Sequence, residues 1–224
     1  MRIQRRGQRV QIDLQQLAAV RLVHPLRETV VPPGELLVGF LPLFLVLVRL
    51  QHQQIELDPL SPSVNTGYGR TLCFNGKYQE AMQQLKQTLE LEPKYAEAHF
   101  ALADLYIYMN NLEEALASAE NALALSGNRP IISCTVGYIN ALMGNQEKAE
   151  QILESLRKLP YPTNFEQGNL LIGLQRYDEA FLAYEKAIDG REGLAIYLNA
   201  DPLLDGYKIL QPRIHKLLEK IGLV

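Results

Sequence analysis

The chain has 224 residues and a mass of 25.3 kDa, with 47% hydrophobic and 21% charged residues. That balance excludes global disorder and a collagen-like repeat, and two Cys are too few for a disulfide-rich secreted scaffold. A net charge of −3 gives no global case for nucleic-acid binding.

The charge is unevenly placed. Residues 1–27 carry six Arg against one acid, Asp13, and the first Lys is Lys77. From residue 61 onward there are 15 bases against 20 acids. Residues 36–50 read LLVGFLPLFLVLVRL, 15 residues interrupted by Gly39, Pro42 and Arg49. A transmembrane helix needs about 20 apolar residues, so this run is short, and its Pro breaks helical hydrogen bonding. A signal peptide would place its apolar stretch close behind a brief basic start, whereas here 35 residues come first. Residues 1–52 are therefore read as an atypical Arg-rich and apolar segment, with 36–50 as a buried or partly ordered helix. Membrane contact through 36–50 is the less favoured alternative.

Beyond this segment the sequence repeats. IELDP ends at Pro59 and LELEP at Pro93, a spacing of 34 residues. In register, Gly69, Ala103, Gly137 and Gly168 fall in the first half of four units, and Ala81, Ala115, Ala149 and Ala180 begin the second half. Small residues at such positions let two antiparallel helices approach closely. Tyr78, Leu112 and Tyr177 stand three residues before three of those alanines and are expected to fill the space between helices. Gln146 takes that place in the third unit, which predicts looser packing there. Gly76 and the Asn110-Asn111 and Gly144-Asn145 pairs sit at the bends, where left-handed backbone angles are needed. Pro93 and Pro160 punctuate the ends of second helices. Within 112–125, Leu112, Ala115, Leu116, Ala119, Ala122 and Leu123 form one apolar helical stripe. A single helix pair cannot bury such a face alone, so neighbouring pairs must stack.

No signature of catalysis or metal binding emerges. His24, His52, His99 and His215 are dispersed, without a His-Glu-x-x-His motif or paired Cys/His spacing. Cys73 and Cys134 lie in first helices of different units and read as buried free thiols. There is neither a phosphate-binding Gly-x-x-x-x-Gly-Lys motif nor a Gly-x-Ser-x-Gly elbow. Glu113 and Glu120, and then Glu147, Glu150 and Glu154, form rows on the faces opposite the apolar stripes, the pattern of a solvated surface. The Arg-rich start lacks interleaved aromatics, so no nucleic-acid partner is expected. No enzyme activity, cofactor or metal is expected.

The 34-residue period, with Gly or Ala in the first helix, Tyr and Ala opening the second and Pro closing the unit, resembles the tetratricopeptide repeat. The resemblance covers about residues 53–190 and implies an all-α, right-handed solenoid of antiparallel helix pairs, with three to four repeats. Residues 191–224 resemble the C-terminal cap that follows such repeats in bacterial multidomain regulators. The repeat register begins partway through a helix near Gln53. Residues 1–50 are therefore expected not to be the segment that ordinarily precedes such a domain, as a misassigned start, a frame change or a truncated gene would produce.

In this family the first helices line a concave groove. Its register implies a peptide-binding face of Thr66, Arg70 and Phe74; Phe100, Asp104, Ile107 and Tyr108; Cys134, Tyr138 and Leu142; and Phe165 and Asn169. Members that hold the acidic C-terminus of chaperones use Lys and Asn four residues apart, and the corresponding pairs here, such as Thr66/Arg70 and Phe100/Asp104, lack that clamp. The resemblance thus implies a cytoplasmic, non-catalytic scaffold that binds a protein or peptide segment. The alternative is a truncated regulatory or sensory domain of a transcriptional regulator, kinase or cyclase system whose effector domain is missing.

Overall fold

The computed structural model of the chain describes Asp58, residues 60–192 and residues 211–220. The expectations for residues 1–52, including membrane contact through 36–50, and for 193–210 and 221–224 lie outside the described residues.

Nine helices and no strand occur among the described residues. Four consecutive pairs are α1 (Pro62–Phe74) with α2 (Tyr78–Leu91), α3 (Ala96–Tyr108) with α4 (Leu112–Ser126), α5 (Pro130–Leu142) with α6 (Gln146–Arg157), and α7 (Asn164–Gly173) with α8 (Tyr177–Asp189). A ninth helix, α9 (Gln211–Lys220), follows. The architecture is an all-α helical-repeat solenoid, as the periodicity predicts. Pro62 and Pro130 occupy the first turns of α1 and α5, where a missing N–H costs no helical bond.

One device closes the first helix of every pair. Gly76, Asn110, Gly144 and Gln175 occupy the same register position and all take left-handed angles, with φ of 71°, 58°, 83° and 59°. The next amide in each case donates back five residues: Lys77 to Leu72, Asn111 to Tyr106, Asn145 to Asn140 and Arg176 to Leu171, at 2.8–2.9 Å. The left-handed residue itself donates to the carbonyl three residues earlier, at 2.9–3.1 Å. These paired bonds form a Schellman motif, which satisfies the carbonyls at the helix end and turns the chain into the second helix.

Within the pairs, small residues fix the approach of the backbones. A β-carbon on Gly69 would lie 2.7 Å from Leu85 Cδ2, and one on Gly168 would lie 2.6 Å from Tyr184 Cδ1. Ala81, Ala115, Ala149 and Ala180 are all fully buried. Gln146 is exposed, whereas Tyr78, Leu112 and Tyr177 are partly buried at the equivalent place.

The core divides unevenly. A small cluster of Leu72, Cys73, Ala81, Leu85, Ala101, Leu102 and Leu105 joins α1 and α2 to α3. A much larger one runs from α3 to α9 and includes Ile139, Leu153, Leu170, Phe181 and Tyr184. The partly buried Tyr106 packs against both. Helix α9 contributes Ile214, Leu217 and Leu218 to the larger cluster, and its Arg213 lies 4.1 Å over the Phe181 ring while pairing with Asp178 at 2.7 Å. None of the described helices is long and apolar enough to cross a membrane.

Candidate interaction face

The first helices α1, α3, α5 and α7 carry the equivalent positions of the four repeats. Helix α1 packs on α3 and α5 on α7, while Phe100 of α3 shares a buried cluster with Ile132 of α5. The twelve positions of the expected face separate by burial.

Thr66, Phe100, Ile107, Cys134, Tyr138 and Phe165 are buried, so they offer a ligand little surface. Phe100 is a core residue with Ala122 and Ile132, and Phe165 packs 5.9 Å from Tyr184. The Tyr138 ring lies where a β-carbon of Gly173 would stand, 2.7 Å from that position, and so closes the gap between α5 and α7. Cys134 donates its thiol hydrogen to the Glu166 carbonyl at 3.0 Å. The Thr66 hydroxyl is buried without a hydrogen-bond partner.

The remaining positions are accessible. Arg70 and Asp104, one repeat apart at the same register position, pair at 3.0 Å. The Arg70 guanidinium also lies 5.2 Å over the Phe100 ring, a cation–π contact. Opposite charges on successive repeats thus cancel within the face. Asn169 accepts a hydrogen bond from the Tyr184 hydroxyl at 2.7 Å. Phe74 is 44% exposed and Leu142 37%, with the partly buried Tyr108 between them in the chain. These three sit 34 residues apart, at or beside the C-terminal ends of α1, α3 and α5. Tyr108 stacks on Tyr78 with ring centroids 6.4 Å apart, which gives the row a flat aromatic wall that helix periodicity alone did not reveal.

Several groups that could carry chemistry are engaged in structure. Burial pushes the Cys73 thiol up to about 12; Asp104 adds to the shift and Arg70 opposes it. Such a thiol is not a nucleophile near neutral pH. Two carboxylates of these rows pair between repeats, Glu120 with Lys148 at 3.1 Å and Glu150 with Arg176 at 2.7 Å, while Arg176 also holds Glu179 at 2.6 Å. The Arg176 hydrogen bond holds the Glu179 carboxyl below the usual carboxylate range. Among the described residues no group of three His, Cys, Asp or Glu is placed to hold a metal ion.

Two carboxylates at the start of α7 carried no sequence signal. Glu192 accepts from the Phe165 backbone N–H at 3.0 Å and from Asn164 Nδ2, so a residue beyond α8 satisfies donors at the start of α7. Glu166 is buried, and desolvation raises its carboxyl above the ordinary value; Glu192 adds to that shift and Glu166's own backbone N–H opposes it.

Comparison with known proteins matches these repeats. Family models described as Tetratricopeptide repeat match residues 75–132 and 161–189. A TPR repeat-containing thioredoxin of Arabidopsis thaliana is 30% identical over 83 residues, which is 37% of this chain and 12% of that protein. The formate-dependent nitrite reductase complex bifunctional subunit of Haemophilus influenzae is 33% identical over 86 residues, 37% of this chain and 22% of that protein. The matches therefore span less than a quarter of either relative's length. The crystal structure of a thermophilic TPR protein from Thermus thermophilus shares the fold with a TM-score of 0.58 and 22% identity, covering 80% of this chain and 92% of that one. With helix pairs, repeat register and family models in agreement, the chain carries tetratricopeptide repeats.

Proposed function

We propose that the chain is a non-catalytic interaction scaffold that holds a peptide or protein segment along α1, α3 and α5. The observation that carries this reading is the strip of accessible side chains in one register, with Phe74, Tyr108 and Leu142 beside the Arg70–Asp104 pair. Apolar and aromatic side chains held on rigid helices supply contact area at low entropic cost, while a few polar groups set orientation. The buried members of the strip, Phe100, Ile107 and Tyr138, support it from behind rather than touching the ligand.

Affinity capture on the immobilised full chain tests the reading. Partners retained by the native protein should be lost from a Phe74→Ala/Leu142→Ala variant and kept by Lys148→Ala, whose side chain lies on the outer ion-paired surface. Equal retention by both variants would place binding elsewhere on the molecule. Both substitutions sit at accessible positions, so helical circular dichroism should be unchanged.

A further inference from the structure

We propose that Asn75–Gly76 is a self-modification site, at which opening of the α1–α2 turn converts Asn75 to isoaspartate or aspartate and thereby unlatches the turn permanently. The pair is the chain's only Asn-Gly sequence. In Asn-Gly the following backbone nitrogen reaches the side-chain amide most readily, because glycine has no β-carbon to obstruct the approach. The Gly76 side is open: no heavy atom beyond its chain neighbours lies within 4 Å of where a β-carbon would stand. Asn75 and Gly76 are both exposed, so water reaches the site.

Hydrogen bonds hold the pair unreactive while the turn is closed. The Gly76 N–H donates to the Cys73 carbonyl and the Lys77 N–H to the Leu72 carbonyl, both at 2.9 Å. Asn75 Nδ2 donates to the Thr71 carbonyl at 2.8 Å. The attacking nitrogen is thus fixed through its hydrogen, and the amide it must reach is tied back along α1. In the other three repeats the residue before the left-handed position is Met109, Met143 or Leu174, each packed against a core cluster. Asn75 is exposed instead and relies on these bonds.

Once the turn opens, the Gly76 nitrogen gives up its proton and attacks Asn75 Cγ. The new N–Cγ bond displaces Nδ2, which leaves as ammonia with that proton, and a succinimide ring remains. Water then opens the ring: attack at Cγ gives aspartate, and attack at the main-chain carbonyl gives isoaspartate, whose main chain runs through Cγ. Neither step needs an oxidant or reductant. Both products lose the Nδ2 donor to Thr71 and place a negative charge at the C-terminal end of α1, where the helix dipole disfavours it. Isoaspartate also lengthens the main chain, which moves the Gly76 and Lys77 amides out of register with the carbonyls they cap.

Peptide mapping by mass spectrometry, with isoaspartate and aspartate forms separated chromatographically, tests this on the full chain aged at pH 8. In the urea-unfolded chain Asn75 should convert ahead of Asn110, Asn128 and Asn145, the other turn asparagines. The folded chain should convert at least about tenfold more slowly than the unfolded one, since only its open fraction reacts. Lys77→Pro removes the amide that donates to Leu72, leaves Asn75 and Gly76 in place, and should speed conversion in the folded protein by about three- to tenfold. Hydrogen exchange of the isoaspartate-bearing chain should be faster over residues 62–91 and unchanged over 130–189. Equal rates in folded and unfolded chains, or a Lys77→Pro protein no faster than native, would show that the turn is not the gate. A lead by another asparagine would overturn the choice of site, and unaltered exchange over 62–91 would overturn the unlatching. If Lys77→Pro does not fold, the native chain in urea below its transition replaces it, and a conversion rate that fails to rise with urea overturns the gate.

Discussion

Glu166 shows how one buried side chain couples this fold to pH. The residue is 9% exposed at the start of α7, and its carboxyl lies in the field of Glu192, which the α7 amide and Asn164 hold in place. Removal from water disfavours the ionised form, and the neighbouring negative charge works in the same direction. Because the folded-state pKa is raised, the native protein binds a proton more readily than the unfolded chain. Glu166 therefore weakens the fold at pH values above its raised pKa, and that weakening fades as the pH falls towards the ordinary carboxylate value. Glu166→Gln keeps the shape without the charge. Urea unfolding at pH 7.5 should find the variant more stable than the native protein, with the difference closing towards pH 4.5. An unchanged difference between the two pH values would mean that lost hydrogen bonding, not ionisation, sets the effect. Nothing in the sequence marks this position, because an isolated Glu in a first helical turn is ordinarily solvated.

At the scale of the helix pair, the repeat was legible because two constraints recur every turn of the solenoid. The Gly/Ala and Ala positions are read directly from composition, and the close approach of Gly69 to Leu85 and Gly168 to Tyr184 shows why larger residues are absent. The turns were legible only where the left-handed residue is Gly or Asn. Gln175 makes the same Schellman turn at φ 59° with no compositional signal, because the bonds from Gln175 and Arg176 impose the conformation. The position of Tyr138 was legible but its direction was not: register assigned it to the binding face, and the missing side chain at Gly173 let the ring turn inward instead. A left-handed conformation costs a non-Gly residue about 1–2 kcal/mol, whereas glycine forfeits about 0.4–1 kcal/mol through the freedom of the unfolded chain. Gln175 is exposed and its side chain is not part of the core. Gln175→Gly should therefore stabilise the protein by about 0.5–1 kcal/mol. Thermal unfolding checks the sign, and a lower midpoint would mean that the glutamine side chain makes a compensating contact at the turn.

Across the whole solenoid, cohesion is unequal because each repeat is held only by its neighbours. The cluster that binds α1 and α2 to α3 consists of seven buried residues, of which Ala81, Ala101 and Cys73 contribute little area. The cluster from α3 to α9 includes Phe165, Phe181 and Tyr184, with Tyr184 fully buried between the other two rings at 5.9 and 6.0 Å. It is further tied by Arg176 to Glu150 and Glu179, by Lys148 to Glu120 and by Arg213 to Asp178. Each exposed pair adds little on its own, so aromatic burial sets the difference. The junction passes through Tyr106, which is only partly buried. A local opening costs only the packing it disrupts, so α1 and α2 should open at lower free energy than α5 to α8. Hydrogen exchange followed by mass spectrometry should show peptides from residues 62–91 exchanging well before those from 130–189, with 96–126 between them. Truncating the ring contact by Phe181→Ala should speed exchange in α7 and α8 while leaving the order of α1 and α2 unchanged. A single protection level along all eight paired helices would instead show that the two clusters unfold as one cooperative unit, and that Tyr106 transmits more coupling than its partial burial implies.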